Sequence, residues 1–209
     1  MGRPIRSAGE RLRAKKRALV LGPAYREAAF FLGRWIRAPH RIAAVAPASR
    51  HLARAMAKEI DPGAEGVVVE LGGGTGAITR ALLATGLPPN RLIIVERDHE
   101  MCRVLRDRFP EVRVVRGDAR ELAALMRRNG VEKAVSVVSS LPLLSMTGQL
   151  RRAIVDEAFA LLGSAGTMVQ YTYGLRSPVQ RDIHGLTGEL RGRVWRNLPP
   201  ATVWRYRRK

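Results

Sequence analysis

The sequence predicts an α/β domain built on a doubly wound, largely parallel sheet. From residue 66 onward, short runs rich in β-branched residues alternate with runs of amphipathic helical character. The strand-like runs are apolar almost throughout, which is typical of strands that helices cover on both faces. A glycine-rich turn joins the first strand to the first helix in VVVELGGGTGAITRALLATG, residues 67–86. The length of 209 residues suits one domain of this kind.

The predicted elements follow one another along the chain. The first strand is GVVVELG, and its helix, GAITRALLATG, ends at Gly86. The second strand and helix are RLIIVERD and HEMCRVLRDRF; the third are VRVVRGDA and ARELAALMRRNG, with a stop at Gly130. KAVSVVSS is the fourth strand, QLRRAIVDEAFALLG the fourth helix and GTMVQYTYG the fifth strand. The tail, GRVWRNLPPATVWRYRR, predicts two short strands around Pro199 and Pro200 that form an antiparallel terminal hairpin.

Positive charge is concentrated at the two ends of the chain. Residues 1–58 carry a net charge of +12 and residues 181–209 carry +6, whereas residues 59–180 carry only +1. Basic terminal segments of this kind predict a polyanionic partner, either nucleic acid or an anionic membrane surface. The alternative is that the charge serves only to keep the protein soluble. The single cysteine excludes an internal disulfide, and no apolar run approaches the roughly 18 residues of a membrane span.

Residues 1–40 are predicted to form a basic, amphipathic helical extension that binds a membrane, with the folded domain at residues 41–209. At 100° per residue, a narrow apolar stripe runs through residues 1–21 and is flanked by arginine and lysine. The stripe is too thin to bury a helix in a core, so an interfacial position is favoured. A second helix over residues 24–38 either packs on the domain surface or extends this interface.

The glycine-rich turn contains Gly72, Gly74 and Gly76 in a G-x-G-x-G pattern between a strand and a helix. Glycine at these points permits a tight turn and lets a ligand approach the backbone closely. No Gly-Lys-Ser/Thr sequence follows, which excludes an ordinary phosphate-binding loop. A dinucleotide-binding loop of the dehydrogenase type remains an alternative.

Acidic residues after the first three strands narrow the choice of ligand. Glu70 ends the first strand, where a carboxylate would repel a pyrophosphate and suits a cationic amine. Glu96 ends the second strand, about 20 residues beyond the loop, and could hold a ribose diol. Asp118 follows the third strand and could accept a hydrogen bond from an adenine amino group. An amine, a ribose and an adenine without phosphates describe S-adenosylmethionine.

These residues resemble the class I S-adenosylmethionine-dependent methyltransferases over about residues 45–209. The resemblance implies a Rossmann-like sheet with strand order 3-2-1-4-5-7-6, and S-adenosylhomocysteine as the product of the cofactor. It also implies a set of cofactor contacts, namely Glu70, Leu71, Gly72, Gly74, Thr75, Gly76, Glu96, Arg97, Asp118, Ala119 and Ser139.

The segment after the fourth strand indicates the methyl acceptor. Here it reads Ser140-Leu141-Pro142-Leu143. The glycine loop and the Leu-Pro pair resemble those of the rRNA adenine dimethylases, but the amide and the aromatic ring that those enzymes place around a base are both missing. Aromatic residues make up only 5% of the chain, which is poor for a base-stacking surface. The segment therefore favours an amine that carries no flat ring.

Together with the basic start, the segments HRIAAVAPASRHLARAMA, SSLPLL and QYTYGLRSP resemble the bacterial phospholipid N-methyltransferases. This resemblance implies methylation of phosphatidylethanolamine toward phosphatidylcholine by a monomer bound peripherally to the inner face of the cell membrane. It implies no nucleic-acid partner. The alternatives are an rRNA or tRNA base N-methyltransferase of the adenine dimethylase type and a membrane-binding scaffold without activity.

The predicted catalytic residues are Tyr171, Tyr173, Ser140 and Leu141. The two tyrosines lie two positions apart on a strand, hence on one face, where their rings could hold a methylated ammonium by cation–π contact. Tyr171 is also predicted to bind the lipid headgroup, together with Arg176 and His40. The alternatives are ordinary strand tyrosines, a surface arginine and a solvated loop histidine. No cysteine and histidine cluster is present, so no metal is expected.

Overall fold

The fold is known from a computed structural model that describes residues 48–209. Seven strands form one sheet in the order β3-β2-β1-β4-β5-β7-β6, which confirms the predicted order. The strands are β1 (Val67–Leu71), β2 (Leu92–Glu96), β3 (Arg113–Arg116), β4 (Ala134–Ser139), β5 (Thr167–Thr172), β6 (Leu186–Val194) and β7 (Ala201–Arg208). Strands β1 to β5 are parallel, whereas β7 runs antiparallel to both β5 and β6.

Five α-helices lie within the described part of the chain. They are α1 (Arg50–Ala57), α2 (Ala77–Leu83), α3 (His99–Arg108), α4 (Leu122–Arg128) and α5 (Gly148–Leu162), with 3₁₀ turns at Pro89–Arg91, Ala119–Glu121 and Leu143–Ser145. None of these helices combines the length and the apolar character needed to cross a bilayer. The predicted extension at residues 1–40, and the boundary that separates it from the domain, lie outside residues 48–209.

The sheet divides the core into two layers, because successive strand residues point to opposite faces. Val69 and Leu71 pack on the side of α4 and α5. Val68 and Ile94 pack on the side of α1, α2 and α3. This two-sided burial explains why the parallel strands read as almost continuous apolar runs.

The structure differs from the sequence prediction at α1 and at β6. Helix α1 was not among the predicted elements; Ser49 begins it by accepting a hydrogen bond from the Leu52 backbone N–H at 3.2 Å. Strand β6 starts at Leu186, ahead of the predicted tail. It is an edge strand with mostly exposed residues, including Thr187 and Glu189, and so lacks the apolar alternation that identifies a strand.

The register of the parallel strands brings their carboxyl ends to one edge of the sheet. Leu71 is level with Val95 on one side and with Ser139 on the other. Ser139 is in turn level with Gln170, and Glu96 with Arg116. The loops that follow β1 to β5 therefore meet along this edge, which is the usual place for a ligand in a doubly wound sheet.

Replacement of Gly76 should be far more costly than replacement of another glycine with the same backbone angle. Gly76 has φ of 76°, and a Cβ there would lie 2.3 Å from the Phe109 ring. Gly130 also has φ of 76°, but nothing lies within 4 Å of its Cβ position. We expect Gly130→Ala to lower the free energy of unfolding by about 1 kcal/mol and Gly76→Ala by about 3 kcal/mol or more. Urea denaturation measures both, and equal losses would contradict the clash.

Candidate active site

The glycine-rich turn crosses the carboxyl edge of the sheet between β1 and α2. Gly72, Gly74 and Gly76 all adopt the left-handed backbone region, with φ of 76°, 50° and 76°. The Gly72 N–H donates to the Val95 carbonyl at 2.9 Å, which ties the turn to β2. A Cβ on Gly74 would meet only the Gly72 carbonyl oxygen, at 4.0 Å, so Gly74 faces open space. This open side is where a ligand could lie against the backbone.

Gly73 serves packing and was not singled out from the sequence. A Cβ on this residue would lie 2.5 Å from Ile94 and 2.8 Å from Leu105. Gly73 therefore allows the turn to sit directly on β2 and α3. The only sequence signal for this packing role is that Gly73 is the middle residue of a run of three glycines.

Glu96 holds the glycine turn through its carboxylate. One carboxylate oxygen accepts from the Gly74 N–H at 3.1 Å, and the other accepts from the Asp98 N–H at 3.0 Å. The side chain is partly exposed, and a carboxylate has about four acceptor positions. Two further hydroxyl donors, such as those of a ribose, can therefore be accommodated.

Glu70 lies inside the core at the end of β1. Its side chain is fully buried, and one carboxylate oxygen accepts from the Thr79 hydroxyl of α2 at 2.7 Å. The other oxygen, Oε1, has no hydrogen-bond partner within residues 48–209. Burial raises the pKa of Glu70 to about 8, although the Thr79 hydrogen bond opposes the shift. An unsatisfied acid here is an acceptor for a cationic group.

Asp118 follows β3 and begins the 3₁₀ turn that contains the buried Ala119. Its carboxylate accepts from the Arg120 backbone N–H at 2.9 Å and from the Arg120 guanidinium at 2.8 Å. The guanidinium of Arg97 lies 3.9 Å away. The hydrogen bond from the Arg120 side chain is the main cause of a lowered pKa for Asp118. Asp118 therefore stays ionised at neutral pH and can accept a further hydrogen bond.

These residues fit S-adenosylmethionine. The open face of Gly74 gives room beside the backbone, and the unpartnered oxygen of Glu70 is a counterpart for a cationic amine. Glu96 and Asp118 stand at the ends of the next two strands along the sheet. No group of three or more potential metal ligands occurs anywhere in residues 48–209.

The loop after β4 connects the glycine turn to a neighbouring pocket. Ser140 donates its backbone N–H to the Leu71 carbonyl at 2.9 Å, and the buried Ser139 hydroxyl accepts from the Leu141 N–H at 3.3 Å. The Leu141 side chain lies against Gly72, since a Cβ on that glycine would be 3.0 Å from it. The Leu141 carbonyl accepts from the buried Gln170 amide at 3.0 Å. Gln170 thus fixes this loop, a role the sequence did not reveal.

A pocket of about 270 Å³ lies beside Leu141. The lining residues within 48–209 are mainly apolar and aromatic, and none of them is charged: Leu141, Pro142, Leu143, Leu144, Ser145, Tyr171, Thr172, Tyr173, Gly174 and Pro178. The pocket therefore suits an apolar group, or a cation with diffuse charge, better than a hydrated ion.

Tyr171 on β5 and Tyr173, one residue beyond its end, both line this pocket, and their spacing of two residues predicts a shared face. Their ring centroids are 5.5 Å apart, and the rings meet edge to face at 75°. Tyr173 also hydrogen-bonds the side chain of Asn197, a buried residue in the turn between β6 and β7. Burial raises the pKa of both tyrosines, so both hydroxyls stay protonated at neutral pH.

The predicted headgroup residues are not all brought together. Arg176 is exposed on the loop after β5, three residues beyond Tyr173. His40 lies outside the described residues.

A methyltransferase domain family matches residues 68–166. An ornithine lipid N-methyltransferase of Singulisphaera acidiphila is 38% identical over 145 residues, which cover 68% of this chain and 76% of the relative. The chain belongs to the class I S-adenosylmethionine-dependent methyltransferases. This methyltransferase therefore uses S-adenosylmethionine as its methyl donor, as the glycine turn and its acidic neighbours predicted.

Other relatives align over less of their own length. Ribosomal RNA small subunit methyltransferase A of Anaeromyxobacter dehalogenans is 34% identical over 160 residues, and the chain spans about half of that relative, 54%. Among solved structures, TrmN from Thermus thermophilus has a TM-score of 0.58 at 21% identity, covering 84% of this chain and 53% of that one. A TehB-like methyltransferase from Corynebacterium glutamicum has a TM-score of 0.55 at 19% identity, covering 88% and 98%. These two structures establish the fold alone.

The buried acid predicts an unusual dependence of stability on pH in the cofactor-free methyltransferase. The folded state keeps the Glu70 proton up to about pH 8, whereas the unfolded chain loses it near the ordinary value of 4.5. The unfolded state therefore binds fewer protons between these values, so this group lowers stability as pH rises and its effect levels off above pH 8. Glu70→Gln cannot ionise, so its stability relative to the parent should increase by about 2–4 kcal/mol between about pH 5 and 8.5.

Urea denaturation at several pH values measures this difference in the free energy of unfolding. The exposed Glu132→Gln is the control, and no such increase is expected because water solvates that side chain in both states. A constant difference between Glu70→Gln and the parent would show that Glu70 is already ionised at neutral pH.

Proposed function

We propose that this methyltransferase transfers methyl groups from S-adenosylmethionine to the amine of a membrane lipid. The observation that carries the proposal is the uncharged pocket beside the cofactor turn, with Leu141 contributing to both. The loop that forms it has neither an amide nor an aromatic ring for a nucleic-acid base. The relative named as an ornithine lipid N-methyltransferase supports a lipid amine as the acceptor.

The cofactor is proposed to lie across the ends of β1, β2 and β3. Gly72, Gly74, Thr75 and Gly76 provide the backbone surface, and Glu70 attracts the cationic amine. Further contacts are assigned to Leu71, Glu96 for the ribose hydroxyls, Arg97, Asp118 and Ala119 for the adenine, and Ser139. When bound, the cofactor supplies an electrophilic methyl group on a cationic sulfonium.

The residues of the pocket act mainly by positioning. Reaction requires a neutral amine held about 3 Å from the methyl group. Tyr171 and Tyr173 stay protonated, so they cannot remove the amine proton as phenolates; we assign them to holding the methylated ammonium against their rings. The lining residues that the structure describes include no carboxylate or imidazole, so we assign the proton to solvent. Ser140 and Leu141 orient the amine from the loop that Gln170 anchors.

Two lipid headgroups suit this arrangement. The resemblance carried by SSLPLL and QYTYGLRSP favours phosphatidylethanolamine, with phosphatidylcholine as the final product, whereas the Singulisphaera acidiphila relative favours ornithine lipid. Ethanolamine phosphate and ornithine both place a primary amine a few bonds from an anionic group. Arg176, which is exposed on the loop between the lining residues Gly174 and Pro178, is assigned to that anion. The protein would act peripherally at the inner face of the cell membrane, aided by residues 1–40 and His40.

Methylation of a lipid is tested with labelled cofactor and the full-length protein. We expect label in the chloroform-soluble fraction after incubation with vesicles that contain phosphatidylethanolamine or ornithine lipid. Comparing the two vesicles identifies the headgroup. Glu96→Ala should lose the label because it removes the proposed ribose contact, whereas the exposed Glu132→Ala should keep it.

Total RNA is the second substrate in the same experiment, because several relatives are named as ribosomal RNA methyltransferases. Label in RNA alone would overturn the lipid proposal and establish the base-methylating alternative.

Substitution of the tyrosines tests their assignment to the ammonium. Tyr171→Phe and Tyr173→Phe retain the ring and should retain most activity. The corresponding alanine variants should raise KM for the monomethylated lipid by about two- to thirtyfold, the range for loss of one cation–π contact. Thermal unfolding identifies variants that are simply unstable. Equal KM values in all four stable variants would leave the tyrosines with a purely structural role.

A further inference from the structure

Large apolar side chains are exposed mainly at one place in residues 48–209. Four of the six that the described chain exposes lie in the loops at the carboxyl edge: Leu144, Leu175, Trp195 and Leu198. Trp195 is 68% exposed and Leu198 is 88% exposed. The other two, Ile183 and Leu190, lie before and within β6. Such a concentration is typical of a surface that meets an apolar partner.

Strand register places these loops around the pocket. Thr172 at the end of β5 pairs with Thr202 near the start of β7, and Val194 at the end of β6 pairs with Ala201. The turn between β6 and β7 therefore projects from the same edge as the pocket. We call residues 140–147, 173–180 and 195–200 the pocket-edge loops.

The pocket-edge loops are cationic as well as apolar. They contain Arg176 and Arg196 and no aspartate or glutamate, and Arg193 lies just before the turn. The Arg193 guanidinium lies 4.2 Å from the centre of the Trp195 ring. The other half of the same edge carries acidic residues instead, including Glu96 and Asp118. Arg97 and Arg120 also lie on that half, but both stand beside the Asp118 carboxylate, whereas the pocket-edge loops contain no carboxylate.

A buried side chain fixes the turn relative to the pocket. Asn197 accepts from the Ser49 N–H at 3.0 Å, donates to the Pro199 carbonyl at 2.7 Å and hydrogen-bonds Tyr173. Its neighbours Arg196 and Leu198 point outward as exposed residues. The turn is therefore a fixed protrusion beside the pocket, in which Asn197 is buried while Trp195, Arg196 and Leu198 are exposed.

We infer that the pocket-edge loops dock on an anionic lipid bilayer, with Trp195 and Leu198 entering the interface. Tryptophan favours the boundary between headgroups and hydrocarbon, and arginine beside it can bind lipid phosphates. Docking in this orientation would turn the pocket toward the headgroups. The inference rests on the proposed lipid acceptor, which explains why a pocket would open onto a membrane. It adds a docking surface separate from residues 1–40.

Tryptophan fluorescence tests the docking in the full-length protein. In a Trp35→Phe background, only Trp195 and Trp204 emit, and Trp204 is buried. Vesicles of equimolar phosphatidylglycerol and phosphatidylcholine with brominated chains should shift the emission to the blue and quench it. The quenching should disappear when Trp195→Phe is added.

Vesicle sedimentation measures the contribution to binding. Trp195→Ser with Leu198→Ser should weaken binding to the anionic vesicles by about tenfold or more, because two apolar contacts are lost. Ile183→Ser with Leu190→Ser is the matched control, since these residues are also exposed but lie away from the pocket edge, and it should bind as the parent does. Calorimetric titration with S-adenosylmethionine should give unchanged affinity in both variants.

Three results would overturn the inference. One is Trp195 emission that does not change although the protein sediments with vesicles. Another is Trp195 emission that is already blue-shifted in buffer and is not quenched by acrylamide, because residues 1–47 would then cover the turn. The third is equal loss of binding in the control variant. The proposed lipid acceptor is tested separately. Quenching of Trp195 without lipid methylation would support the docking surface and contradict the lipid acceptor. Lipid methylation without quenching would support the lipid acceptor and contradict the docking surface.

Discussion

The parallel pairing of β1 with its two neighbours is the constraint on which the site depends. It holds Leu71 level with Val95 and with Ser139, so three chain segments leave the sheet at the same height. The glycine turn can then bond to β2 through Gly72, and the loop after β4 can bond to β1 through Ser140. A shift of one residue in this register would turn the side chains to opposite faces and separate those contacts.

The carboxyl edge of the sheet has two halves that differ in their carboxylates. Glu70, Glu96 and Asp118 stand on the half formed by β1 to β3, which is the half proposed to hold the cofactor. The half formed by β4 to β7 has an uncharged pocket surrounded by arginine and exposed apolar residues. Leu141 lies at the boundary, in contact with Gly72 and in the pocket wall. Among the described residues, the carboxylates at this edge therefore stand on the side proposed for the cofactor, away from the pocket proposed for the acceptor.

Buried polar side chains fix the loops that form the acceptor side. Gln170 bonds the Leu141 carbonyl, and Asn197 connects α1, the terminal hairpin and Tyr173. A buried amide is costly unless it is hydrogen-bonded, so each of these groups favours one loop arrangement over others. Glu70 is different, because one of its oxygens stays unpaired and its pKa is raised to about 8. A cation placed beside this oxygen would favour the ionised form of Glu70 and lower its pKa.

The sequence by itself determined the parallel strands and the glycine turn, whereas the strand order came from the resemblance to a known family. Apolar parallel strands and left-handed glycines such as Gly76 leave local signals, because periodicity and backbone conformation are properties of neighbouring residues. The pairing of Tyr171 with Tyr173, at the end of β5, was predictable for the same reason. Only the tertiary structure decided that Gln170 holds Leu141, that Asn197 reaches Tyr173 and that Glu70 is closed off in the core. It also decided that the turn at Trp195 stands beside the pocket, since an antiparallel hairpin returns residues far along the chain to the carboxyl edge. Contacts between distant segments depend on how strands pair, and no local pattern records that pairing.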